Sequence, residues 1–188
     1  MALMSTTSRW GKPFTIADRD AMPDIDGRRY ELIGGSIVVT PAPLTGHQRG
    51  SRRLERLIED AAPPGVEVFD APVDLWLPGD HMVQPDIVVA PYGSVGRERL
   101  TTPVLLVVEI VSVGSRTHDR VTKRAVYAEA DIEHYWLVDT TVEAPRFTAL
   151  RLGSGGEYET VLESDDRVET DAPVAVVFSV PELFRPPR

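Results

Sequence analysis

Apolar positions recur with two different periods along this chain, and the changes of period mark out its elements. Across Arg29 to Thr40 (RYELIGGSIVVT) they predict two short strands about the Gly34-Gly35 turn, with Pro41 and Pro43 closing the second. The next run, HQRGSRRLERLIEDAA, reads as a helix with Thr45 as its N-cap and Pro63-Pro64-Gly65 as its stop. At about 100° per residue, His47, Ser51, Leu54, Ile58 and Ala61 share one face of it. Arg49, Arg52, Arg53 and Arg56 gather on the other. Three strand candidates follow, VEVFDAPVDLWL, VQPDIVVA and PVLLVVEIVS. The last is nearly continuous apolar, as expected of a strand covered on both faces.

A second helix, capped by Ser115 or Thr117, is expected to run to about Ala130, and EHYWLVDT then reads as another apolar strand. The C-terminal part alternates through FTALRL, YETVLE and AVVFSV, which predicts a β-meander, with PELFRPPR as a tail. At the other end, residues 1–12 carry no pattern, TIADRDAM forms one short helix and PDIDGRR is turn-rich. Helix, three strands, helix and strand in this order predict an α/β (α+β) fold. It is a mixed sheet with a crossover helix, an N-terminal hairpin and an appended C-terminal meander. The expected organisation is a lead and short helix over 1–28, then one domain over 29–188.

The 188 residues, 42% hydrophobic and 26% charged, suffice for a sizeable core. No apolar stretch approaches the roughly 20 residues of a membrane span, and no signal-type segment is visible. The absence of cysteine excludes disulfides, thiolate nucleophiles and cysteine-ligated zinc. A cytoplasmic protein that does not engage membranes is expected. The net charge of −9 disfavours strong non-specific attraction to a phosphate backbone. Of twenty basic residues only Lys12 and Lys123 are lysine, so a lysine inside the domain marks a place where arginine does not substitute.

Two carboxylates stand out. Asp86 interrupts VQPDIVVA and Glu109 interrupts VLLVVEIVS, and a carboxylate within a buried strand costs several kcal/mol unless it is paired or binds metal. Twenty-three residues apart on strands expected to be neighbours, they can converge on one hard cation. The bland alternative is an ion-pair partner, or a strand end facing water. Lys123 shares its helical face with Asp119, Val126, Tyr127 and Ala130, while Val121, Ala125 and Ala128 line the opposite one. Both faces therefore have reason to contact protein, and an inward ammonium can stabilise developing negative charge. The alternative for Lys123 is an exposed i, i+4 pair with Asp119. Neither His81 nor His134 has partner spacing for zinc. Asp139 is read as a turn cap, and the four-arginine face as solvated.

RYELIGG, TPAP followed by His47, PDIVVA, VLLVVEIVS and SRTHDRVTKRAVYAEADIEHYWLVD, in this order and spacing, resemble the Uma-type restriction endonuclease family of the PD-(D/E)XK nuclease superfamily. The resemblance runs from about Arg29 to Asp139. It implies a restriction-endonuclease-like sheet flanked by helices and a Mg²⁺ or Mn²⁺ ion held by Asp86 and Glu109. Glu31 matches the family's upstream acid, as a further ligand or base. His47 matches a family position and is read as an accessory contact or a core histidine. Tyr127 and Trp136 match as well and are read as packing. The lysine that the superfamily places two residues after the second acid is Val111 here, and the resemblance relocates it to Lys123. What it implies is phosphodiester hydrolysis leaving a 5′-phosphate, on DNA in preference to RNA, by a homodimer. Two other readings stand beside it: a catalytically inactive nuclease-fold module that binds nucleic acid or protein, and an interaction domain with an ordinary buried ion pair.

Overall fold

The computed structural model describes residues 4–6, 12–23, 25 and 27–186. Its first elements are β1 (Met4–Thr6), α1 (Ile16–Asp20), β2 (Arg29–Ile33), β3 (Ser36–Thr40), α2 (Thr45–Ala61), β4 (Val66–Asp70), β5 (Leu75–Leu77), β6 (His81–Val83) and β7 (Ile87–Pro91). Then come β8 (Leu100–Thr101), β9 (Leu106–Val111), a π-helical turn over His118–Lys123 that runs into α3 (Arg124–Glu129), and β10 (His134–Asp139). The chain closes with β11 (Arg146–Leu152), β12 (Tyr158–Ser164), β13 (Arg167–Thr170), β14 (Val176–Ser179) and α4 (Val180–Phe184).

These strands form two six-stranded sheets and a hairpin. The central sheet has the order β12-β11-β10-β9-β7-β4, and the second has β1-β3-β2-β6-β5-β8. In the central sheet β9 and β10 are parallel and the other pairs antiparallel, because only the β9–β10 link crosses over through a helix. The meander β10-β11-β12 extends this sheet, and β13 pairs only with β14.

Both faces of the central sheet are covered, which is why its strands read as continuous apolar runs. Val88, Ala90, Val107, Val111, Tyr135 and Leu137 point toward α3 and the second sheet. Ile87, Val89, Leu106, Val108, Ile110 and Trp136 point the other way, toward Leu54 and Ile58 of α2 and Val180 and Leu183 of α4. The alternation along β9 therefore sends Glu109 to the same side as Val107 and Val111, beneath the π turn and α3.

Prolines mark the passages between sheets. VEVFDAPVDLWL is two strands and not one: after Asp70 the chain leaves the central sheet at Pro72 and enters the second as β5. It returns at Pro85, and after β8 returns again at Pro103. Proline lacks the N–H a ladder needs, so it ends one pairing and frees the chain for the next. Asp86 accordingly stands one residue before β7 and not within a strand. Gly34 and Gly35, with φ of 56° and 71°, make the two-residue turn of the β2–β3 hairpin.

Several expectations are corrected. Strand β1 pairs with β3 inside the lead that showed no pattern; residues 1–3 and 7–11 of that lead, and Asp24 and Asp26 of PDIDGRR, lie outside the described residues. The N-cap of α2 is Leu44, without a side-chain cap, and Thr45 is already helical. The second helix begins at Arg116, directly after Ser115, whose carbonyl accepts the Asp119 N–H at 2.9 Å, and Thr117 is already helical. The tail contains α4, which packs on α2 so closely that a Cβ on Gly50 would lie 2.3 Å from the Phe184 ring. Arg49 and Arg53 are not part of a solvated face, because they donate to the carbonyls of Phe184, Glu182 and Arg185. Among the described residues no helix is long and apolar enough to cross a membrane.

Candidate active site

Where the second sheet meets the central one, Asp86 and side chains from β9, β2, α2, the π turn and α3 converge on a buried polar cluster. Register brings the first two together. The β7–β9 ladder pairs Ile87 with Val108, so one step further sets Asp86 opposite Glu109. Asp86 Oδ2 accepts from the Ile110 N–H at 2.8 Å and lies 3.0 Å from His47 Nε2, while Oδ1 accepts from Arg29 at 2.7 Å. Glu109 Oε1 accepts from Lys123 Nζ at 2.7 Å and from the Tyr127 hydroxyl at 2.8 Å. Lys123 Nζ also donates to Glu31 Oε1 at 2.8 Å and stands 4.0 Å from Asp119. Glu31 is held further by the Gln84 N–H at 2.7 Å and by His118 Nε2 at 3.1 Å.

Glu31, Asp86, Glu109 and Lys123 are each only 2–3% exposed, so these contacts form without competition from bulk water. The ionisation states follow from an uneven distribution of charge. Burial opposes a charge on Asp86, yet His47 and the Arg29 guanidinium hold its carboxyl well below the usual carboxylate range. Burial likewise opposes a charge on Glu31, but the Lys123 ammonium, His118 and the Gln84 N–H bring it down to about 2. Glu109 goes the other way: burial, reinforced by Asp119, Asp86 and Glu31, outweighs Lys123 and pushes its carboxyl well up. Burial pushes Asp119 up too. Against its own burial, Lys123 is raised above the ordinary lysine value by Glu109, Glu31 and Asp119. Four carboxyl groups thus share two permanent cations, Arg29 and Lys123.

This donor set fits a hard divalent cation. Asp86 Oδ1 accepts one hydrogen bond and keeps a lone pair, and the Glu109 carboxyl is short of positive charge. Among the described residues no three Asp, Glu or His side chains form a ready-made cage. Mg²⁺ is commonly bound by one or two carboxylates together with water and substrate phosphate.

A model of a family described as "Putative restriction endonuclease" matches residues 16–180. The chain belongs to this Uma2 family. Among solved structures it is similar to a protein from Anabaena variabilis described as a putative nuclease belonging to DUF820. The two are 21% identical, with a TM-score of 0.67, over 92% of this chain and 98% of the other. At that identity the likeness shows a shared fold. A search of curated proteins gave no match.

In this Uma2 chain the structure brings Asp86, Glu109, Lys123, Glu31 and His47 into one cluster. Lys123 is inside, and its pair with Asp119 is buried, not exposed. On the opposite face Val121 is 63% exposed and Ala125 is exposed as well, while Ala128 packs against the core. Asp139 stays outside the cluster: it accepts from Arg120 and from Thr141, capping the turn after β10. Trp136 packs edge-on against Phe147. Tyr127 needs a correction. Its ring packs against Tyr135 at 5.0 Å, as expected, but its hydroxyl belongs to the site.

Three members of the cluster are not evident from the sequence. Arg29 lies two residues before Glu31 on β2, and the strand's period of two sends both to one face. His118 is five residues before Lys123, which a 3.6-residue helix turns about 140° away. The π turn, with its i→i+5 spacing, removes most of that offset and lets both reach Glu31. The helical spacing sets Asp119 beside Lys123, but its part in the site depends on the burial of that pair.

Proposed function

We propose that this Uma2 protein is a Mg²⁺- or Mn²⁺-dependent nuclease that hydrolyses phosphodiester bonds, on DNA in preference to RNA, leaving a 5′-phosphate. The observation that supports it most is the 2.7 Å contact of Lys123 Nζ with Glu109. It supplies from the next helix the ammonium that Val111 does not provide. Asp86 and Glu109 would hold the cation, which when bound polarises the scissile phosphate and lowers the pKa of a bound water.

The other roles belong to the chain's own residues. Arg29, His47 and the Ile110 N–H keep Asp86 ionised and fix its orientation. Tyr127 and Lys123 both bind Oε1 of Glu109 and so set the rotation of that carboxylate. Glu31, ionised and braced by His118, holds the ammonium beside Glu109, where it stabilises negative charge growing on the phosphorane oxygens and orients the attacking water. For cutting both strands of a duplex, the expected assembly is a homodimer with one site for each.

A second reading has one observation in its favour. Lys123 pairs with Glu31 and Glu109 at once, which is what a structural counter-ion in a non-catalytic module would do. The two readings separate in an assay of labelled oligonucleotides with and without Mn²⁺. The nuclease reading predicts cation-dependent cleavage by the wild type and loss of about 100-fold or more in Glu109→Gln. Equal cleavage by both proteins would remove Glu109 from the mechanism, and no cleavage by a wild type shown to bind the oligonucleotide would establish the module.

A further inference from the structure

We infer that this site acts on unpaired nucleic acid, one nucleotide being drawn into a cleft between the β2–β3 hairpin and the segment that follows β9. The inference rests on the nuclease reading and names the form of its substrate. The cleft has a volume of about 500 Å³, within the range of about 300–1,000 Å³ typical of small-ligand sites. One wall is Ile33, Ser36 and Val38 of the hairpin, and the other is Val113, Thr117 and His118. His118 joins the cleft to the site, since it lines the cavity and also contacts Glu31, the partner of Lys123.

Burial restricts how a phosphate reaches the cluster. Four of its charged groups are only 2–3% exposed, so a duplex laid across the surface would keep both backbones outside. An extended strand with a base turned out of its stack is narrow enough to enter such a cleft. The lining favours the same substrate. Ile33, Val38 and Val113 offer aliphatic surface to a base, while Ser36 and Thr117 offer hydroxyls to its edge or to the sugar. Val113 is 84% exposed at the rim, where it would be covered by what enters.

No lysine or arginine is among the described residues lining the cleft, and the chain carries a net −9. Duplex binding depends mainly on cationic contacts along two phosphate backbones, and the lining of this cleft does not supply them. A single strand gains base contacts that a duplex keeps hidden. It also needs one site per substrate, so the homodimer expected for cutting two strands is not required here.

The test is fluorescence anisotropy with a short labelled oligodeoxynucleotide of mixed sequence and its blunt duplex, both on the wild-type protein with Ca²⁺ in place of Mn²⁺ to suppress cleavage. Thr117→Trp, at an exposed rim position, fills the mouth without touching the core. Val161→Trp, on the edge strand β12, serves as the surface control. Both variants are otherwise wild type. The expected result is at least about tenfold tighter binding of the single strand, lost about tenfold in Thr117→Trp and kept in Val161→Trp. Equal or tighter binding of the duplex, no binding of either probe, or an unaffected Thr117→Trp would overturn the inference. Single-strand binding with these properties, combined with no Mn²⁺-dependent cleavage by the wild type, would sink the nuclease reading and leave the cleft as a binding site.

Discussion

At Lys123 one ammonium is shared by Glu31 and Glu109 with Asp119 close by, and removing it leaves charge that the interior cannot solvate. Lys123→Met is expected to cost about 3–5 kcal/mol in urea unfolding at neutral pH and to lower cleavage by about 100-fold or more. Lys123→Arg is not expected to restore activity, because a planar guanidinium does not fit where a compact ammonium touches two carboxylates. Full activity in a folded Lys123→Met protein would remove the lysine from the mechanism. Glu31 gives a pH dependence with a definite sign. Its carboxyl titrates at about 2 in the folded protein against 4.5 ordinarily, so its stabilisation is complete above pH 4.5 and lost as the pH falls to 2. That lowering corresponds to about 3 kcal/mol. The stability gap between wild type and Glu31→Gln should therefore be about 3 kcal/mol at pH 6 and shrink toward zero at low pH. A gap that does not change with pH would show that Glu31 is not held ionised by its neighbours. Lysine scarcity made Lys123 conspicuous in the sequence. Nothing comparable marked Arg29 or His118, because both owe their place to contacts made 57 and 87 residues away in the chain.

Among the elements, the π turn and the α2–α4 contact show where local pattern stops being informative. A helical wheel grouped Lys123 with Asp119, Val126 and Tyr127, and all four are buried. The same wheel could not place His118, since the irregular i→i+5 turn has no signature in a 3.6-residue period. Strand PVLLVVEIVS was legible because its burial on both faces leaves a continuous apolar run. VEVFDAPVDLWL was not, because a break between two sheets looks the same as a bend within one. Gly50 gives the sharpest test at this level. Its buried position lets the Phe184 ring approach, and Gly50→Ala is expected to destabilise by about 1–3 kcal/mol through overpacking, despite alanine's better helix propensity. Pairing it with Phe184→Leu should recover most of that loss in urea unfolding. A neutral or stabilising Gly50→Ala would mean that α4 moves away at little cost.

For the whole molecule, the site exists because two sheets share one chain that passes between them at Pro72, Pro85 and Pro103. The central sheet contributes Glu109 and the second contributes Glu31, with Asp86 on the passage between them. The helical crossover from β9 to β10 lays Lys123 over the junction. The order of elements predicted the central mixed sheet. The second sheet was legible only as its hairpin, because β5, β6 and β8 are two or three residues long and leave no period to read. For the proposed function, the same arrangement answers the net charge of −9: four carboxyl groups gather around two permanent cations, and a divalent cation would cancel the excess negative charge. Calorimetric titration of Mn²⁺ into the wild type and into Asp86→Asn, each confirmed as folded by circular dichroism, tests that claim most directly. One saturable site in the wild type that disappears in Asp86→Asn is the predicted result; no binding to the wild type, or the same binding to both, would contradict it.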